Sequence, residues 1–189
     1  MRFIILKNKK SQVWVETAIY TLIGLTIIAI VLSIVAPQIE RAKEKTIIAQ
    51  TYEALNELNT QIRKVSQVAG NKKIVSLRLT KGSLTIDGTE GEGVEIGNKI
   101  TYTLEDTKLE FSEVDTEIKE GDIYIMTEKY GRNYNIFLET RYDEIFDITF
   151  SGEDKSRVFY GGGAPYEIII ENIGYGGVDG RTKIDIIVS

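Results

Sequence analysis

Five residues in one short stretch raise a chemical question: Lys9, Lys10, Ser11, Gln12 and Glu16. Two cations, a hydroxyl, an amide and a carboxylate stand just ahead of residues 18–36, where no side chain is formally charged. An unpaired carboxylate at the mouth of so apolar a run is costly, so something must compensate Glu16. The simplest compensation is that it reaches into a headgroup layer. Elsewhere the residue types restrict the chemistry. The chain has no cysteine and no histidine. Disulfides, thiolate nucleophiles, cysteine or histidine metal sites and histidine acid–base catalysis are therefore excluded. The acidic clusters at 87–95 and 113–122 lack the spacing of an EF-hand loop and read as solvated surface, so no metal and no cofactor is expected. Gly161-Gly162-Gly163-Ala164-Pro165 and Gly174-Tyr175-Gly176-Gly177-Val178-Asp179-Gly180 neither run into Gly-Lys-Ser/Thr nor open a helix. They read as turning surface loops, not phosphate cradles. No residue set for catalysis emerges, and an enzyme is not expected.

The elements around Glu16 are long. With Val13 and Val15 included, the apolar run suffices to cross a bilayer core of about 30 Å at about 1.5 Å per residue. It exceeds the h-region of a secretory signal. Arg2, Lys7, Lys9 and Lys10 precede it without an acid, which places the N-terminus in the cytoplasm and the bulk of the chain outside. Pro37 is expected to kink or loosen the helix. Residues 38–68 then contain neither glycine nor proline and are rich in helix formers. Ile48, Tyr52, Leu55, Leu58, Ile62 and Val65 recur at helical spacing, one apolar stripe suited to a β-sheet or, as the alternative, to a coiled-coil partner. Among the charges, Glu44 pairs locally with Arg41, and Glu40 with Lys43, three apart on the helix surface. Gly70-Asn71 is a stop signal. One helix from residue 13 to residue 69 is the expectation.

Beyond Asn71 the period drops towards 2. Strands are expected at 74–79, 83–87, 99–104, 108–112, 122–128, 134–141, 147–150, 166–171 and 183–188, with glycine and asparagine turns between them. The fold class is therefore α+β: a long N-terminal helix carrying a C-terminal antiparallel β domain. The divisions are a leader at 1–11, an apolar helix at 12–36, its amphipathic continuation at 37–70 and the β domain at 71–189. Removing Arg2, Lys7, Lys9 and Lys10 takes the net charge from −5 to −9, which argues against binding a nucleic-acid backbone. No Asn-x-Ser/Thr sequon occurs.

The constellation of Lys9-Lys10-Ser11, then Gln12, then Glu16, then the apolar run resembles the archaeal type IV pilin family and its class III signal peptide. The likeness covers about 60 residues, from the leader through the long helix. Ser11 stands where the family usually has glycine or alanine, and Trp14 stands where it favours serine. The resemblance implies cleavage between Ser11 and Gln12 by a prepilin peptidase, leaving Glu16 as the fifth residue of the mature chain. Glu16 then has a cation to meet, the new α-amino group of Gln12 on the same or a neighbouring subunit. It further implies a membrane-held precursor, a helical surface filament of identical subunits, a membrane assembly platform and an assembly ATPase. Adhesion, surface contact or DNA uptake would be the filament's role. The other readings are an unprocessed single-pass anchor displaying an extracellular binding domain, and a minor pilin or pseudopilin.

Overall fold

A computed structural model of the chain describes residues 9–89, 97–142, 145–176 and 180–189, with side chains from residue 13 onward. Within these, one helix, α1 (Lys9–Val65), precedes ten strands. The chain divides into two units at residues 42 and 43.

The first unit is the outer part of α1. Between residues 13 and 42 no side chain is buried, so the apolar run faces outward on every side. Pro37 lies inside the helix and does not end it. Its missing N–H removes one backbone bond, which the flanking turns tolerate.

The second unit holds the rest of α1 and all the strands. These are β1 (Lys72–Leu77), β2 (Ser83–Asp87), β3 (Lys99–Thr107), β4 (Ile118–Glu120), β5 (Ile123–Tyr130), β6 (Asn133–Arg141), β7 (Phe146–Phe150), β8 (Ser156–Tyr160), β9 (Tyr166–Tyr175) and β10 (Thr182–Val188). They form a four-stranded sheet in the order β1-β9-β10-β7 and a six-stranded sheet in the order β4-β5-β6-β3-β2-β8. The named pairings are antiparallel except β7 with β10, which run parallel. The α+β class and the sheet-rich C-terminal region are as expected from the change of period. Alternation is clean where one face is buried. Leu84 and Ile86 on β2, Ile100, Tyr102 and Leu104 on β3, and Ile136 and Leu138 on β6 all point into the core. From the other sheet Ile148, Ile168, Ile170, Ile184 and Ile186 join the same cluster, and so does the stripe of α1. Ile48, Leu55, Leu58, Ile62 and Val65 are buried, and Tyr52 is half-buried against them. The stripe thus serves a sheet-built core within one chain.

Three sequence expectations need correction. Residues 108–112 form no strand. The β3–β6 register shifts between Leu104 and Thr107, Asp106 takes a φ of +54°, and its N–H donates to Asn135 Oδ1 at 3.1 Å. The bulge turns Thr107 into the core and leads the chain off as a loop. Two strands had no sequence signal. All three β4 residues are exposed, and β8 is an edge strand with one half-buried residue, Phe159, so neither shows inward–outward alternation. The helix ends at Val65, four residues before the expected end. Ser66 N–H makes the last helical bond to Ile62 O at 2.9 Å, and residues 66–70 turn away, Gly70 at φ +81°. The reason is tertiary. Asn172 of β9 donates through Nδ2 to the carbonyls of Val65 (3.2 Å) and Ser66 (3.0 Å), and its own carbonyl accepts from Gly70 N–H at 2.8 Å. A side chain 107 residues away in sequence supplies the partners that the helix end lacks. Gly82 is required for a different reason. Its φ is +81°, and a Cβ there would lie 2.5 Å from Thr103 O.

Ile62→Ala should lower the unfolding free energy of the full-length protein in detergent by about 2–5 kcal/mol through the cavity it leaves. Asn172→Leu, which strands the helix-end carbonyls, should cost about 1–3 kcal/mol. Near-ultraviolet circular dichroism of the tyrosines is the proper probe, because the single tryptophan, Trp14, belongs to the other unit.

Candidate functional site

The apolar half of α1 is long and apolar enough to cross a membrane. Its hydroxyls do not spoil it. Thr17 donates to Val13 O (2.9 Å), Thr21 to Thr17 O (2.8 Å), Thr26 to Leu22 O (2.8 Å) and Ser33 to Ile30 O (2.7 Å). Each of these four hydroxyls is satisfied within the helix, which lowers the cost of placing it in an apolar surround. Trp14 is 81 % exposed at the leading end, where an amphipathic ring suits a membrane–water interface. Glu16 is exposed on the same stretch. The side chains of Lys9, Lys10, Ser11 and Gln12 lie outside the described residues, so the expected cleavage and pairing residues are placed only as consecutive positions on the first turns of α1.

In the second unit the helix is locked to the sheets by a charge that the sequence reading left on the surface. Glu44 is only 3 % exposed. It accepts from Lys81 Nζ at 2.8 Å and from Thr107 Oγ1 at 2.5 Å. Burial pushes its carboxyl pKa up, but Lys81, Thr107 and a backbone N–H outweigh that and hold it below the ordinary value of 4.5. The signal that locates Glu44 is spacing: it lies four residues before Ile48 and so extends the buried stripe by one turn. Tyr102 closes the same region, with Oη donating to Lys81 O at 2.8 Å and burial pushing its phenol up to about 12.

A second polar cluster lies further along the helix. Asn59, Arg63, Lys119, Asp122, Tyr124 and Arg141 line a cleft of about 270 Å³. Asn59 Nδ2 donates to Asp122 Oδ2 at 3.0 Å, and Arg63 pairs with the same oxygen at 3.2 Å. Arg141 lies over the Tyr124 ring at 4.0 Å and is held by Glu117 and Glu139, which push its pKa up. Lys119 Nζ donates to Tyr124 Oη at 3.1 Å. Asn59 and Arg63 come from the helix, the others from β4, β5, β6 and the turn before β5, a convergence with no local sequence signature. Among the described residues no group of three or more acids is placed to share a metal ion.

The Glu44 contact predicts a pH dependence. A carboxyl whose folded pKa is depressed contributes stability above its unfolded pKa and loses it as pH falls through the folded value. The stability difference between wild type and Glu44→Gln should therefore shrink as pH drops from about 5 towards 3, as read from denaturant titrations at each pH. A constant difference across that window would remove the charged contact from the account. Comparison with family models, with curated proteins and with solved structures finds no match for this chain, so its function has to be read from its residues and geometry.

Proposed function

We propose that the chain is a structural subunit of a surface filament of the archaeal type IV pilin kind, matured by cleavage between Ser11 and Gln12. The observation that carries this reading is the division of labour along one helix. Among the described residues the half up to residue 42 has no buried side chain, whereas the half from residue 43 is built into a β core. An all-round apolar helix needs lipid or other helices, and cleavage ahead of it leaves it on the mature protein to use both in turn. Before assembly it anchors the subunit in the membrane with the N-terminus cytoplasmic. After assembly it packs against copies of itself, and the β units form the extracellular surface. Lipid is as apolar as the side chains it replaces, so the gain on polymerising comes from packing and from neutralising charge. Glu16 paired with the α-amino group of Gln12 removes two buried charges together. A prepilin peptidase, a membrane platform and an ATPase are the partners that this cycle requires, and adhesion or surface contact is the role it serves.

Mass spectrometry of the protein from native membranes or filaments should find a mature N-terminus at Gln12. An intact Met1 on a membrane-embedded monomer would overturn the reading in favour of a simple anchor. Glu16→Ala should insert into membranes normally but yield few or no filaments by electron microscopy, and normal filaments would remove the pairing from the argument.

A further inference from the structure

Charge is segregated along the second unit. Residues 58–86 carry six cations and no acid, in a chain whose net charge is −5. They are Arg63, Lys64, Lys72, Lys73, Arg78 and Lys81, at the end of α1, on β1 and in the link to β2. Residues 105–122 carry eight acids and two lysines. Both stretches reach a sheet edge. β1 is an end strand of the four-stranded sheet, and β4 is an end strand of the six-stranded one. Ahead of β4, Asp115 N–H donates to Thr127 O at 2.8 Å and Val114 bridges to Thr127, so the acidic segment runs on along β5. The remaining end strands show no such bias. β7 is buried throughout, and residues 153–157 at the start of β8 hold two acids and two cations.

Internal pairing does not use these charges up. Arg63, Lys72 and Lys81 meet Asp122, Glu171 and Glu44. Lys64, Lys73 and Arg78 are exposed and form no ion pair among the described residues, and the same holds for Glu113, Asp115 and Glu120. Each edge also has an apolar centre. Ile74 of β1 is 62 % exposed and Ile118 of β4 is 41 % exposed. Lysines on an edge strand by themselves only discourage strand pairing. They account neither for the bare isoleucine among them nor for the acids on the other edge.

The two edges lie on opposite flanks of α1. Tyr52 Oη donates to Glu120 O at 3.2 Å, whereas Gln50 and Ala54 share a groove with Arg78 and Leu79. Gln50 and Ala54 are each two residues from Tyr52, so at about 100° per residue they lie across the helix from it. Copies standing side by side with parallel helices bring the basic flank of one to the acidic flank of the next. From this complementarity we propose that the β1 edge of one copy docks head to tail on the β4 edge of a second copy, Ile74 against Ile118, with Lys73 and Arg78 facing Glu113 and Asp115. The proposal rests on the filament reading, of which it names the contact between β units. Such a contact uses two different patches and so propagates instead of closing on a pair. Net-acidic copies repel one another on average, and segregated charge turns repulsion into attraction at one orientation.

The chain has no cysteine, so single introduced cysteines report the contact. Full-length Ile74→Cys and Ile118→Cys variants, mixed in phosphatidylcholine vesicles and oxidised, should form a disulfide dimer that neither forms alone. Salt at about 1 M, which shortens the screening length to about 3 Å, should slow it. Adding Lys73→Glu and Arg78→Glu to the first variant should lower the yield about fivefold or more, and Glu113→Lys with Asp115→Lys in the second should restore it. Dimers of Ile74→Cys alone would mark a two-fold contact and overturn the proposal. So would the absence of a dimer from the mixture, or a yield that charge reversal leaves unchanged. Filaments with an N-terminus at Gln12 but without this disulfide would remove the contact and keep the filament, whereas the disulfide on chains with an intact Met1 would keep the contact and remove the filament.

Discussion

Burial of Ile48, Leu55, Leu58, Ile62 and Val65 is the interaction on which the second unit depends, because these side chains of α1 join residues of both sheets in one cluster. Fully burying such a side chain stabilises by about 1.5–3 kcal/mol, so the five together outweigh any single polar contact in the unit. Without the helix, the inward faces of β2, β3, β5 and β6 and of β9 and β10 would lack part of their cover. The same continuity has a consequence for the other half of the helix. It is covalently continuous with a folded unit, yet none of its described side chains is buried.

Two polar devices set the register of the helix on the sheets where apolar packing alone would allow sliding. Glu44 ties the beginning of the packed segment to Lys81 and Thr107, and Asn172 ties its end to β9. Both are buried and both are matched, which is the condition under which a buried polar group specifies an arrangement without weakening it. The bulge in β3 belongs to the first device, since it is what turns Thr107 towards Glu44. The Asn59–Arg63 region differs in kind. Its polar atoms are only partly matched by the protein, and it opens to a cleft.

By itself the sequence determined the class of the fold. The neutral run, the stripe at spacings of three and four, and the shift to alternation after Asn71 each follow from how side chains project at periods of 3.6 and 2, which is a local property. Most strand positions were legible for that reason, and so was the stripe. What only the tertiary structure decided involves partners far apart in the chain. The helix stops at Val65, where Asn172 donates to its end carbonyls, residues 108–112 leave the sheet because of a bulge, and β4 and β8 form at edges that carry no alternation to read. Glu44 looked like a surface charge until Lys81 and Thr107 were seen beside it, and the cleft at Asn59 exists only where a helix and a sheet edge meet. Periodicity records which face of an element is apolar. It does not record which distant group will meet the polar residues on that face, and in this protein those meetings set the helix boundary at Val65 and the polar cluster at Asn59.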